Sequence, residues 1–302
     1  MKFIFNGLSY FGKKLVADLN EFAPQHSFSF FDTYTSKLEQ IKFATALPFS
    51  HLVISMNGVL DKSGSLDLVL KLKKKLLMQW QGTDTLTALE KSKNKKLNRK
   101  YIDYATHITD APWMKEELSA IGIERDLIFY KWIAEQNTSE KFKELGAYSY
   151  LPEEKENLYG WKNIYEIAKK HSDIYFHIAG TTGKKLEQLP NIKFLGWVDE
   201  QKMKELREQL PIFLRMPEHD GYSLSVLEAL SCGNEVMWTM PHEQCRLANK
   251  NNAEDVFNTI INDIKEKGLK RNESNIGFIR NAFSKEKVLS AFVEKLEEES
   301  GR

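Results

Sequence analysis

Short apolar runs alternate along the whole chain with longer stretches in which apolar residues recur at helical spacing. Lys2 to Phe5, Ser27 to Phe31, His51 to Met56, Leu76 to Trp80, Ala105 to Thr109 and Leu127 to Tyr130 read as buried strands. Between them, Tyr10 to Asn20, Leu66 to Lys75, Leu86 to Arg99 and Pro112 to Ile121 read as helices, with Gly122 closing the last. The second half repeats the alternation. Its strands are Ala147 to Tyr150, Ile174 to Ala179, Ile192 to Leu195, Ile212 to Arg215 and Glu235 to Thr239. Its helices are Lys162 to Lys170, Glu200 to Gln209, Leu224 to Cys232 and Ala253 to Lys265. Strands alternating with helices of about ten residues imply parallel βαβ units and an α/β fold.

The chain has 302 residues, enough for two such domains, each with its own core. The polar stretch from Glu135 to Gly146 is the expected linker, which divides residues 1–140 from 141–284. Residues 285–302 form a terminal amphipathic segment with Val288, Leu289, Phe292, Val293 and Leu296 on its apolar side. No fixed-period repeat is visible, so a solenoid is not expected.

Composition narrows the function classes. A net charge of +1 argues against wholesale nucleic-acid binding. Two cysteines, Cys232 and Cys245, cannot build a disulfide or metal framework, and a reducing cytoplasm fits them. No run of about 18 apolar residues exists, and the first residues read as a strand of the fold, not a signal peptide.

The richest chemistry lies between Arg215 and Gly233. A buried strand, Leu210 to Leu214, leads through a polar turn into a short apolar helix that Gly233 stops. Glu228 sits inside that helix among Val226, Leu227, Ala229 and Leu230, where an ionised carboxylate needs a partner. Asp220 lies at the helix mouth. The amides of Tyr222, Ser223 and Leu224 should leave that mouth unpaired and form an anion site. An anion site flanked by two carboxylates suits a diphosphate with hydroxyl-rich sugars at both ends. The structural alternative is a capping box, Ser225-x-x-Glu228, with the helix starting at Ser225.

Asp220-Gly-Tyr-Ser-Leu-Ser-Val-Leu-Glu228-Ala-Leu-Ser-Cys-Gly233 resembles the Glu-x7-Glu motif of retaining glycosyltransferases with the GT-B fold, with Asp in place of the first Glu. The resemblance implies two doubly wound Rossmann-like domains facing across a cleft, with the terminal helix returning to the first. It implies transfer of a sugar from a nucleoside diphosphate sugar, a uridine diphosphate sugar being favoured, to a saccharide or lipid-linked hydroxyl acceptor. The reaction would retain configuration without a metal or resident cofactor and would serve cell-surface glycan or glycolipid synthesis.

Site roles follow from the same resemblance. Asp220 would sit by the donor sugar, Glu228 at the ribose, and Gly221, Tyr222, Ser223 and Leu224 at the diphosphate. The family's phosphate-binding Arg falls on Tyr150, which cannot supply a fixed charge, and its Lys falls on Lys155, with Lys162 competing. Arg215 is then expected to serve as the cation, and His219 as a donor to phosphate or acceptor. Gly196, Trp197 and Val198, in Phe194-Leu-Gly-Trp-Val198, resemble the strand end that passes the nucleotide base. Ile178 to Gly183 resembles the Gly-rich turn before it. Gly7 would let backbone approach the donor phosphate, and Trp80 and Asp84 would face the acceptor. For Asp84, capping the following helix is the competing reading.

Two basic runs, Lys71 to Lys75 and Lys91 to Lys100, read either as solvated faces or as peripheral contacts of a cytoplasmic protein with the anionic inner face of the membrane. The alternative functions are a GT-B-fold sugar-nucleotide epimerase and a non-catalytic glycosyltransferase-like partner subunit.

Overall fold

The protein is described here from a computed structural model covering residues 1–136 and 138–301. Asn137, within the expected linker, and Arg302, at the end of the expected terminal segment, lie outside the described residues.

The chain divides into two compact units, Met1–Trp132 with Lys285–Arg302, and Ile133–Ser284. In the first unit the chain runs β1 (Lys2–Gly7), α1 (Ser9–Phe22), β2 (Ser27–Phe31), α2 (Lys37–Ala46), β3 (Leu52–Met56) and α3 (Gly64–Lys71). It continues through β4 (Lys75–Trp80), α4 (Thr83–Lys93), β5 (Thr106–Thr109), α5 (Pro112–Ser119) and β6 (Asp126–Leu127). The second unit holds β7 (Gly146–Tyr150), α6 (Trp161–Lys170), β8 (Tyr175–Ala179), β9 (Ile192–Gly196), α7 (Glu200–Gln209) and β10 (Ile212–Arg215). Then come α8 (Leu224–Ser231), β11 (Glu235–Trp238), β12 (Arg246–Leu247), α9 (Ala253–Lys267) and α10 (Glu273–Ala282). The last helix, α11 (Lys285–Gly301), belongs to the first unit.

Each unit contains a six-stranded sheet of parallel strands, ordered β2-β1-β3-β4-β5-β6 and β12-β11-β10-β7-β8-β9. Both are doubly wound α/β sheets. Central strands such as β3 are buried at every residue because helices cover both faces, which is why they read as unbroken apolar runs. Strand order reverses between β1 and β3 in one sheet and between β7 and β10 in the other. Ligands of such sheets bind outside the strand carboxyl ends at that reversal. The helix α11 packs Leu289, Phe292, Val293 and Leu296 into the core formed by Phe5, Phe28 and Leu52 of the first unit.

Several elements depart from their expected form for local reasons. The helix α3 ends at Lys71, not Lys75, because Lys73 takes a left-handed turn and the next residues join β4. The helix α4 starts at Thr83, not Leu86. There the Asp84 carboxylate accepts the amides of Gln81, Gly82, Thr85 and Gly58. Two helices, α2 and α10, carried no clear periodic signal: each buries only one or two residues, Phe43 in α2 and Asn275 and Ile279 in α10.

Trp80 is not an acceptor-side residue. It is fully buried, lies against Gly58, and donates its indole N–H to His107 Nδ1 at 3.2 Å. His107 Nε2 therefore carries the ring proton and donates to the Ile102 carbonyl at 3.0 Å. At Gly58 a Cβ would sit 2.2 Å from the Trp80 ring, so this tryptophan closes the core under the β3 and β4 exits. Gly7 has its own structural reason. Its φ of +117° and the approach of Asn57 Oδ1, 2.8 Å from where a Cβ would be, demand glycine there.

Candidate functional site

The exits of β7 and β10 lie side by side at the reversal point of the second sheet, and the residues singled out in the motif gather there. From β10, Arg215 turns back onto the motif loop. Its Nε and Nη2 donate to the two oxygens of Asp220 at 2.7 and 3.0 Å, a forked pair with both side chains largely buried. The guanidinium also lies over the ring of Tyr159, 4.8 Å from its centroid. Burial opposes the Arg215 charge. The Asp220 carboxylate outweighs that and, with Tyr159, holds the guanidinium pKa above its ordinary value. Arg215 thus spends Nε and one Nη2 donor of its five guanidinium N–H groups on Asp220.

The loop after β7 is fastened to the same turn. Glu218 N donates to Leu158 O at 3.0 Å, and Gly160, at φ +90°, lies where a Cβ would meet Met216 O at 2.2 Å. Lys155 is exposed on this loop, and Lys162 is exposed in the first turn of α6. Among the described residues neither lysine has an ion pair.

The motif helix α8 begins at Leu224, so Ser225 is already helical and the capping-box alternative does not apply. Its N-cap residue, Ser223, makes no side-chain cap. The Ser223 hydroxyl instead pairs with that of Ser225 at 3.0 Å. Elsewhere Ser36, Ser63, Asp199 and Asn272 do cap their helices with side-chain oxygens. At α8 the N-cap side chain takes none of the first-turn amides, and the helix dipole adds positive potential at that point.

One turn deeper, Glu228 is half-buried and accepts from Arg207 Nη1 of α7 at 3.0 Å. Arg207 is almost wholly buried, so this partner satisfies the electrostatic demand of a carboxylate inside an apolar helix. Behind the pair lies the Tyr148 phenol, buried and without a hydrogen-bond partner, and burial pushes its pKa well up. Arg207 and Tyr148 were not singled out from sequence. An arginine in an otherwise polar helix carries no local sign that it will point inward.

Gly221, Tyr222 and Ser223 are buried, Leu224 and His219 half-buried, and Asp220 retains a partly exposed edge. The turn is therefore walled by its own side chains and open at its lip. Tyr222 stacks on Phe283 at 5.6 Å, meets Trp238 edge-on at 6.2 Å, and shares its hydroxyl with His242 Nε2 at 2.7 Å. His242 Nδ1 accepts the Gln244 amide at 3.1 Å, so the neutral ring donates from Nε2 to the tyrosine. Burial lowers its pKa from 6.5 to about 4. The folded-state pKa lies below the unfolded one, so stability falls as pH drops through about 6.5 and levels off below about 4. The full loss is roughly 3 kcal/mol. Urea unfolding at stepped pH should show that limb, and His242→Gln should flatten it.

At the β9 exit, Gly196 is not available to read a base edge. Its N–H donates to Thr181 O at 3.0 Å and its carbonyl accepts from Gly180 N at 2.7 Å. Trp197 beside it is 79% exposed, a free aromatic face, and Val198 is half-buried.

In the first unit, a separate cavity of about 690 Å³ opens beyond the β2, β3 and β4 exits, lined by Thr33, Tyr34, Asn57, Ser63, Ser65 and Asp84 among others. Asp84 forms part of its wall. Burial raises its pKa, against the four amides that favour the charged form. Those amides use its oxygens, so its first role is to hold the β4–α4 turn.

Residues 143–262 match the sequence model of a family described as glycosyl transferases group 1. No curated protein sequence matches the chain. Three solved structures are similar. The pneumococcal O-GlcNAc transferase GtfA, in complex with UDP and GlcNAc, gives a TM-score of 0.60 at 14% identity over 85% of this chain and 59% of its own. A point mutant of S. aureus TarM, in complex with fondaparinux, alpha-GlcNAc-glycerol and UDP, gives 0.59 at 14% identity over 85% and 58%. Sucrose-phosphate synthase from Thermosynechococcus elongatus gives 0.71 at 10% identity over 99% of both chains. This chain thus spans under two thirds of the length of the first two. At such identities the likeness establishes the fold, which is GT-B.

Proposed function

We propose that the protein is a retaining glycosyltransferase that moves a sugar from a nucleoside diphosphate sugar to a hydroxyl acceptor. The observation that carries this reading is the uncapped mouth of α8, set at the reversal point of its sheet with Asp220 on its lip and Glu228 one turn in. The family match over residues 143–262 covers this whole constellation. Two of the similar structures were solved with UDP, which favours a uridine diphosphate sugar as donor.

In this reading the amides of Gly221 to Leu224 receive the diphosphate, and the dipole of α8 stabilises charge as the β-phosphate leaves. Lys155 or Lys162 supplies a cation, and Arg215 is engaged with Asp220. Asp220 binds the donor sugar through its open edge, oriented by Arg215. His219 serves the phosphate or the incoming hydroxyl. Glu228 takes the ribose hydroxyls while Arg207 steadies it. Trp197 offers a face for the base. The acceptor, a saccharide or lipid-linked hydroxyl, is assigned to the hydroxyl-lined cavity of the first unit.

Calorimetry with uridine, guanosine and adenosine diphosphates and with inorganic pyrophosphate tests the donor assignment. Glu228→Gln should weaken the preferred nucleoside diphosphate by roughly tenfold or more and leave pyrophosphate unchanged. Equal weakening of both would mean that Glu228 only braces the helix. Incubation with sugar nucleotide and no acceptor should leave the sugar's configuration intact; its conversion would favour an epimerase.

A further inference from the structure

We infer that the amino-terminal edge of the first sheet, opposite the strand exits that line the cavity, is a docking surface for an anionic lipid bilayer. This does not depend on the donor assignment. Three loops meet at that edge, because the strands they feed are neighbours in the order β1-β3-β4-β5. Each presents one large apolar side chain to solvent: Phe49, Leu72 and Tyr104, exposed by 68%, 41% and 40%.

The loops are tied into one surface. Lys74 Nζ donates to Pro48 O and to Ser50 O at 2.6 and 3.0 Å, bracketing Phe49, and the Tyr104 hydroxyl donates to Lys74 O at 2.9 Å. Lys2 Nζ stands over the Phe49 ring at 5.8 Å.

Lysines predominate in the loops that carry these apolar tips. Lys2, Lys71, Lys73, Lys74 and Lys75 surround them, and residues 47–51 and 71–75 contain no carboxylate. Of the nearby acids, Asp103 pairs with Arg99 and Glu297 with His26, while Asp126, Glu298 and Glu299 gather on Lys295. Lys73 occupies the left-handed position (φ +50°) closing α3, where glycine is usual. Lys73 N donates to Leu70 O and Lys74 N to Val69 O, both at 3.0 Å, so the turn is well formed and directs Leu72 and Lys73 outward. Exposed aromatic and aliphatic tips interleaved with unopposed lysines match the interface of an anionic membrane, where apolar groups insert and cations meet headgroups. Among the described residues no helix is long and apolar enough to cross a membrane.

Co-sedimentation with vesicles of phosphatidylcholine alone and mixed with phosphatidylglycerol tests the proposal. The protein should partition onto the mixed vesicles and not the neutral ones, and raised salt should release it. K71E/K73E should lower partitioning by about tenfold or more, and F49S/L72S by about tenfold, with nucleotide binding and thermal melting unchanged in both. Four results would overturn it: no binding to the mixed vesicles, binding insensitive to both variants, capture of an acidic polypeptide in place of vesicles, or self-association that F49S/L72S abolishes.

Discussion

Asp220→Ala is expected to cost the second unit about 3–5 kcal/mol of stability and to lower sugar transfer by about a hundredfold or more. The stability loss comes from Arg215, whose buried guanidinium would keep its charge and lose both forked hydrogen bonds. The activity loss would come from the donor-sugar contact assigned to Asp220. These causes separate in the double variant Arg215→Met with Asp220→Leu. Replacing a buried ion pair by apolar groups of similar size is often neutral or stabilising, so urea unfolding should return near the parent value. Transfer should stay depressed. If the double variant regains both, the pair is purely structural and another group carries the donor sugar.

Gly160→Ala should be nearly as damaging for a different reason. At φ +90° a side chain is strained, and the added carbon would meet the Met216 carbonyl at 2.2 Å. Either the β7 loop or the motif turn must move, so a loss of at least about 3 kcal/mol is expected, with weakened nucleotide binding. Gly122→Ala is the control. It has φ +70°, but the nearest atom to a built Cβ is 3.9 Å away, so only the left-handed preference of about 1 kcal/mol is lost. Calorimetric unfolding of the two variants compares collision with strain. Equal losses would show that the Gly160–Met216 approach yields easily and does not fix the turn.

The contrast explains which parts of the site could be read in advance. Asp220, the helix mouth and Glu228 lie within nine consecutive residues, and a strand-turn-helix passage is set by local chemistry: an apolar strand, a polar turn, an apolar helix, a closing glycine. The alternation of short apolar runs with periodic stretches likewise determined a parallel α/β fold, because both sheets are covered on two faces. Helices with little apolar stripe, α2 and α10, escaped for the same reason in reverse: they bury too few residues to mark a period.

Partnership was decided only in three dimensions. Arg215 and Asp220 were each legible as charged groups, but which anion the arginine would meet depended on how the turn folds back over β10. Arg207 reaches Glu228 from a different helix, and Trp80, expected to face the acceptor, points under the sheet to His107. By itself the sequence determined the fold class and the local passage that makes the anion site, since both rest on contacts between near neighbours in the chain. The tertiary structure decided which charges are already spent and which loops share an edge, since those depend on distances between residues far apart in the chain.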